Sequence, residues 1–540
     1  MSRIRLALED GAVSEFPSTA GQTLAAILEA HGFPLNTRCG RRGICHGCEI
    51  VLREGRAVVA GAPVTAPATL RACQAVIEGD AEILLPARSR MEHRPQVGDT
   101  FRIDIPAAHR PLFPPVTGGP DTGFAVDIGT TTVVVMLVDL VTGKILSKAG
   151  AFNAQIRFGD NVLTRIEAAG NPDTRRALRD AIVSDSLAPL LASACEQADI
   201  DPARIAGGVI AGNTTMLHLL VCEDPSSLGV SPFTPRFIAG RRETCGSLGL
   251  EGAPASTPVH LLPGIAAYIG ADIVAGIYAT GMPWLQKPAL FIDIGTNGEI
   301  VLQTGGELHG CATAAGPAFE GCGLACGTRA RDGAVEEIRI HAGTLAIEVG
   351  IIGGGVPEHA AGVCGSAYVD FIAQGRACGL IARNGRFADD AWARLPAAHR
   401  ADRDGVRAIR VGGPEGQGAV VISEVDVAVL LQAKAAIGAG IEMLLRAAGI
   451  EPGDLGRVFL AGGFGMHLDV PHAITMGLLP GCHPDQVEVV GNTSLAGAVL
   501  GLIDRTSLDE MEGLRDQVRV LELNLQPGFE DCYIDHLSLT

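Results

Sequence analysis

The sequence predicts a multidomain chain, α+β in a short N-terminal part and α/β in the long remainder. Three observations predict it. Apolar residues alternate in strand fashion within the first ninety positions, and a proline-dense stretch follows. Beyond Gly123, apolar strands, glycine-rich turns and Ala/Leu-rich helices succeed one another. The 540 residues are ample for several cores. Glycine supplies 70 of them and aromatics only 4%, so small side chains and tight turns carry much of the packing.

Taken in order, Ile4, Leu6 and Leu8 alternate as in a strand, and Thr23 is placed to cap a short helix with Leu24, Ile27 and Leu28 on one face. Glu49–Leu52 and Ala81–Leu85 are further strands, closing a first domain at 1–90. Residues 91–122 contain Pro95, Pro106, Pro111, Pro114, Pro115 and Pro120, which disfavours a packed helix and predicts a stiff linker. Residues 123–540 hold an internal near-repeat, FAVDIGTTTVVVMLVDLVTG from Phe124 and FIDIGTNGEIVLQTGG from Phe291. Each copy is an apolar strand ending in Asp, an Ile-Gly-Thr turn and a second apolar strand. Asp127 and Asp293 are 166 positions apart (293 − 127), too far for a solenoid, which predicts two related subdomains at about 123–288 and 289–540.

A formal charge of −18 (42 − 60) argues against a nucleic-acid or membrane-surface binder. The N-terminus lacks the apolar core of a signal peptide. The most apolar stretch, Leu261 to Tyr278, carries Asp272, and the helix candidate near 425–449 carries Lys434 and Glu442, so no membrane span is expected. The 14 cysteines are therefore expected in a reducing cytoplasm, grouped ones as metal ligands and scattered ones as small hydrophobes.

The string CGRRGICHGC sets Cys39, Cys45 and Cys48 in a Cys-x5-Cys-x2-Cys array, and Cys73 follows in RACQA. A [2Fe–2S] cluster takes four thiolates, commonly three from one loop and one from elsewhere. Gly40, Gly43 and Gly47 let the loop wrap such a cluster, and Arg38, Arg41 and Arg42 offset its negative charge. A zinc site is the alternative, although zinc prefers two Cys-x2–4-Cys knuckles and only one such pair is present. The array resembles the ferredoxin family, in a variant with five residues between the first two ligands, and the resemblance implies a β-grasp fold.

A hairpin turn of the form Asp-x-Gly-Thr suits phosphate: glycine admits close backbone approach, turn amides bind anions and hydroxyls donate. The strand-end aspartate is placed to hold Mg²⁺ directly or through water. Two such turns facing each other could clamp the phosphates of ATP, and the glycines of VFLAGGFG could admit the adenosine. The trio resembles the ATPase superfamily of actin, Hsp70 and sugar kinases. Asp127, Gly129, Thr130, Thr131 and Thr132 match its first phosphate motif, Asp293, Gly295, Thr296 and Asn297 its second, and Gly462, Gly463 and Gly465 its adenosine motif. The resemblance implies a two-lobed actin-like, ribonuclease H-like fold. There is no GxxxxGK[ST] string, so no P-loop is expected.

A ferredoxin module ahead of an actin-like ATPase resembles the reductive activators of corrinoid proteins. GNTTMLHLL at 212–220, SPFTP at 231–235, ATAAGPAFEG at 312–321, GVCGSA at 362–367 and VGNTSLAGA at 490–498 match that family as well. The resemblance implies ATP-dependent transfer of one electron from the cluster to inactive cob(II)alamin on a corrinoid methyltransferase or corrinoid protein, fed by a low-potential donor. It also implies that the family's middle domain is missing here, only residues 91–122 separating the two parts, which leaves a homodimer open. The alternative is a small-molecule kinase with a redox-sensing ferredoxin domain. Lesser candidates are Glu299 (positioning a water, or solvated), Lys434 (meeting a nucleotide, or snorkelling), and Cys311, Cys322, Cys326 and Cys364, expected as buried thiols, with a second metal site at Cys322-x3-Cys326 as the alternative. His218, His309 and His467 are expected to be structural, and segment 311–321 to lie near the corrinoid or nucleotide.

Overall fold

Alternation near the N-terminus becomes a mixed sheet. In the computed structural model, residues 2–539 are described except 9–10, 20, 36–40, 42, 44–47, 87–88, 91–100, 102–109 and 415–417. β1 (Arg3–Leu8) pairs antiparallel with β2 (Val13–Pro17). β3 (Glu49–Val59) pairs antiparallel with β4 (Ala62–Thr65), β5 (Ala68–Arg71) and β6 (Ala75–Leu85), and β6 runs parallel to β1. Thr23 accepts from the Ala26 N–H and starts α1 (Leu24–Ala30). Leu24, Ile27 and Leu28 then join Ile4, Leu6, Ile50, Leu52 and Ile83 in one core.

The chain forms two units. One is Met1–Arg94 with Glu320–Ile381 and Arg386–Val429; the other is Pro95–Phe319 with Ala382–Gly385 and Leu430–Thr540. Within the second, the sequence near-repeat is a repeat of topology. β7 (Thr122–Ile128), β8 (Thr132–Asp139) and β9 (Ile145–Phe152) form an antiparallel meander. Helices α2 (Val162–Ala169), α3 (Pro172–Ile182) and α4 (Ala188–Ala198) follow. β10 (Ile205–Gly212) then pairs parallel with β7, and α5 (Thr214–Leu220) leaves its end. β11 (Arg241–Thr244), α6 (Cys245–Leu248) and β12 (Pro258–Leu261) complete the sheet in the order β11-β12-β10-β7-β8-β9. Leu112 and Phe113, from the proline-dense stretch, pack on this core: Leu112 N–H bonds Leu502 O at 3.0 Å, and the Phe113 ring fills the room a side chain at Gly207 would need.

After α7 (Ala271–Ala279), β13 (Ala289–Ile294), β14 (Gly298–Thr304) and β15 (Glu307–Thr313) repeat the meander. In the first unit, β16 (Ala334–Ile340), β17 (Ile347–Ile351) and β18 (Gly362–Val363) form a small sheet beside α8 (Gly365–Ala377). After α9 (Asp389–Arg394), β19 (Arg400–Arg403), β20 (Val406–Gly412) and β21 (Val420–Ser423) form another.

α10 (Glu424–Ala448) is long and apolar enough to cross a membrane, but 78% of its most apolar stretch is buried in the fold, as in a core helix. β22 (Arg457–Ala461) pairs parallel with β13, as β10 does with β7. α11 (Val470–Thr475), β23 (Val487–Gly491), α12 (Thr493–Ile503), α13 (Arg505–Gln517), β24 (Val518–Val520) and α14 (Phe529–His536) finish the chain. α7 and α12 cross closely because glycine lies at the contact: a methyl at Gly497 would stand 2.5 Å from the Ala275 backbone.

Candidate functional site

Both strand-end aspartates sit at equivalent places in the two sheets, Asp127 opposite Val134 and Asp293 opposite Glu299. The first turn is closed by Gly129 N–H to Thr132 O at 2.9 Å and by Asn153 Nδ2 to Gly129 O at 2.9 Å. The second is closed by Gly295 N–H to Asn297 O at 3.0 Å. The hydroxyls of Thr131 and Thr296 are 3.3 Å apart, so the two turns face each other directly. Gly462 has φ +91°, and a methyl there would lie 2.6 Å from Ile294 O and 2.7 Å from Asp293 Oδ1. Gly463 has open space where a side chain would project, and Gly465 opens a 3-10 turn. The structure thus brings all three glycine-rich motifs to one place. Thr313, whose hydroxyl donates to Gly298 O at 3.0 Å, and Phe319, whose ring lies 5.1 Å from that of Phe464, put segment 311–319 beside them.

Two asparagines that the sequence reading assigned no role hold the first turn. Asn213 and Asn492 each follow a strand and cap a helix, accepting from Met216 N–H at 3.0 Å and Leu495 N–H at 2.8 Å. Their amide groups point the other way, to Thr130 Oγ1 at 2.9 Å and Asp127 Oδ2 at 2.9 Å. Ser494 Oγ donates to Asp127 Oδ1 at 2.7 Å. The signal was present: both asparagines stand in Gly-Asn-Thr strings after apolar runs. Arg165, fully buried, donates to Thr130 O at 2.6 Å, Gly159 O at 3.0 Å and Gln155 Oε1 at 3.0 Å, fixing the loop from beneath.

Four carboxylates converge here. Burial, then the charges of Asp293 and Asp127, push Asp272 up to about 8. Burial, then Asp272 and Asp293, hold Glu299 well above the carboxylate range. Burial raises Asp127 against the hydrogen bonds of Ser494 and Asn492, which lower it. Asp272 is delivered by the first turn of α7, and Glu299 is buried rather than a solvated strand residue. Such a set calls for a cation. Among the described residues, no three of these groups come within 4.8 Å of one another, so an ion there would keep much of its water, as Mg²⁺ does. Opposed hydroxyls and turn amides beside that acidic set fit a magnesium-bound polyphosphate.

Of the four thiols, Cys39 and Cys45 lie outside the described residues, as does His46. Cys48 and Cys73 are buried at one end of the N-terminal sheet, where Ala72 N–H bonds Cys48 O at 3.0 Å. Gln74 donates to Arg41 O at 2.8 Å and lies 3.8 Å from Cys73 Sγ; Arg71 Nη1 donates to Gly43 O at 2.5 Å. Gly43 has φ +72°, and a methyl there would strike Gln74 at 2.7 Å. Arg41 and Gly43 are therefore held beside two buried thiols, which fits an iron–sulfur cluster.

The lesser candidates fall elsewhere. Lys434 neither meets these loops nor snorkels: Nζ donates to Ser538 O at 2.8 Å, and burial pulls it down to about 8. His218 is structural, Nδ1 donating to Thr214 O at 2.7 Å and Nε2 accepting from Arg236 N–H at 3.0 Å. His309 lies 3.5 Å from Glu307. Cys311, Cys322, Cys326 and Cys364 are buried, and burial pushes Cys364 up to about 12.

Comparison with known proteins gives this arrangement a family. Residues 287–540 match the family model described as the C-terminal domain of RACo, the ASKHA domain, and residues 122–284 match that of the RACo middle region. The chain is 34% identical over 429 residues, 77% of its length and 70% of the relative's, to the corrinoid activation enzyme RamQ of Eubacterium limosum. It belongs to the family of corrinoid-activating enzymes. The family's middle region is thus present at 122–284, which corrects the expectation that it is missing. A second family member, the Co(II) methylated amine-specific corrinoid protein reductase of Methanosarcina barkeri, is 24% identical over 443 residues, 77% of this chain and 76% of that one. A solved reductive activator for corrinoid, iron–sulfur protein superposes with a TM-score of 0.71 at 29% identity, covering 99% of this chain and 98% of that one. The expected actin-like fold agrees with the ASKHA match and with the paired sheets.

Proposed function

We propose that this protein reductively activates a corrinoid protein, returning an inactive Co(II) corrinoid to Co(I) by one electron in an ATP-dependent step. The observation that carries the proposal is the pair of phosphate-type turns opposed at Thr131 and Thr296, in a chain whose N-terminal sheet buries Cys48 and Cys73. In our reading, residues 1–90 form the iron–sulfur domain, 91–122 the tether, and 123–540, made of the middle and ASKHA regions together, the nucleotide-binding part, in a cytoplasmic protein fed by a low-potential donor.

Cys39, Cys45, Cys48 and Cys73 would hold a [2Fe–2S] cluster, which when bound supplies one electron at about −400 mV. Gln74 and Arg71 hold the backbone at Arg41 and Gly43. Gly129, Thr130, Thr131 and Thr132 would face the phosphates from one side, and Gly295, Thr296 and Asn297 from the other. Asp127 and Asp293 would orient the water around Mg²⁺, Asp127 being locked by Asn492 and Ser494. Gly462, Gly463 and Gly465 would leave backbone bare for the adenosine. Bound ATP supplies differential affinity for one conformation over another, and so can favour a partner state that is easier to reduce. For one electron each ~59 mV is a factor of ten, so a gap of ~100 mV needs roughly 2 kcal/mol of such bias.

The test is anaerobic. Protein loaded with iron is mixed with a Co(II) corrinoid protein, a low-potential reductant and Mg-ATP. Activation should require ATP and be lost in Cys45→Ala and in Asp293→Ala. Activation intact in Cys45→Ala would discard the proposed electron path, and ATP turnover driven by a small metabolite alone would favour the kinase alternative.

A further inference from the structure

A second group of donors lies outside the nucleotide and cysteine sites. Cys532 and His536 are four residues apart on α14, so they share one face. Glu442 reaches them from α10. A sulfur, an imidazole nitrogen and a carboxylate oxygen thus come within 4.8 Å of one another, the only such group of three among the described residues. His536 Nε2 is 2.7 Å from Glu442 Oε2, while Arg446 pairs with the other oxygen and so turns Oε2 toward the imidazole. Cys532 is 3% exposed. The ring of His536 has room because α10 carries Gly438 there: a methyl would lie 2.8 Å from Nδ1.

We propose that Glu442, Cys532 and His536 bind one divalent transition-metal ion, Zn²⁺ in the first instance, clasping the C-terminal helix α14 to α10. A mixed sulfur, nitrogen and oxygen set of three suits Zn²⁺ with water as fourth ligand. As the Sγ–metal bond forms, the thiol proton leaves to solvent; His536 passes to the tautomer protonated at Nδ1, which frees Nε2, and its hydrogen bond with Glu442 gives way to two metal bonds. The clasp would add to contacts that already tie the tail, Lys434 Nζ to Ser538 O at 2.8 Å and Leu539 N–H to Arg383 O at 2.8 Å.

The test uses the full chain with its iron–sulfur loop loaded, so that those thiols are occupied. Zn²⁺ is titrated against a competing chromophoric chelator. One tight equivalent is expected in the wild type, weakened at least tenfold in Cys532→Ser and in His536→Gln. Co²⁺ should give a thiolate-to-metal absorption that Cys532→Ser removes. Because a variant could lose Zn²⁺ by unfolding, thermal midpoints with and without Zn²⁺ are compared for wild type and the near-isosteric Glu442→Gln. The wild-type midpoint should rise with Zn²⁺ and that of the variant should not. No tight equivalent in the wild type, equal binding in wild type and variants, or an equal rise in both midpoints would overturn the proposal.

Discussion

Asp272 stands in the most apolar stretch of the chain, next to two further aspartates and a buried glutamate, and its pKa is raised to about 8. At neutral pH folding must either protonate this carboxyl or add its charge to the set, and asparagine does neither. Asp272→Asn should therefore raise the thermal midpoint by a few degrees without Mg²⁺. It should also shrink the rise that Mg-ATP gives the wild type; an unchanged or lowered midpoint would mean the carboxylates are balanced by something else. The adjacent glycines differ in kind. Gly462→Ala forces a methyl against Ile294 O and Asp293 at φ +91°, which should cost roughly 2 kcal/mol or more. Gly463→Ala meets nothing within 4 Å and should melt as the wild type does. Differential scanning calorimetry separates them.

The elements show why some of this was legible and some not. The meanders β7–β8 and β13–β14 were readable because strand, Asp, Gly-Thr turn and strand are local patterns that the backbone obeys. The caps on α5 and α12 were readable as caps, but their second task, holding Thr130 and Asp127, depends on partners 83 and 365 positions away. Asp272 was visible only as a misplaced charge, and its neighbours come from three strands that only folding brings to its helix. The middle region was misread because its near-repeat reads like any strand pair of the ATPase. Helix contact can be tested at α7 and α12: Gly497→Leu must push them apart and should cost on the order of 2–4 kcal/mol, seen as a lower urea midpoint. On β12, His260 is pulled down to about 4 by burial and then by Arg242, its partner on β11. The unfolded imidazole titrates near 6.5, so it takes a proton first as pH falls. Stability is full above 6.5 and declines below it, by about 2 kcal/mol at pH 5. His260→Gln should flatten that decline in urea titrations at pH 7.5 and 5.

At the scale of the molecule, the N-terminal module meets a distant part of its own unit through Glu49 and Arg403, at 3.4 Å, with Glu49 next to Cys48 and only 7% exposed. Arg403 also donates to Cys326 Sγ at 3.3 Å. Removing this positive charge from beside the proposed cluster-ligand segment should make the midpoint potential more negative, by on the order of tens of millivolts in Arg403→Met, as added negative charge does near iron–sulfur centres. Redox titration followed by electron paramagnetic resonance reads it, and an unchanged potential would place the pair outside the cluster's field. We hold that nucleotide binding lets an iron–sulfur electron reach cobalt, and a single-turnover reaction decides the matter. Reduced protein, freed of excess reductant, is mixed with a Co(II) corrinoid protein with and without Mg-ATP, and the Co(I) absorption is followed. Up to one equivalent of Co(I) per protein, appearing with Mg-ATP as the reduced-cluster signal is lost, is the predicted result. The same Co(I) yield without nucleotide, or none with it, would rule out nucleotide-gated electron transfer.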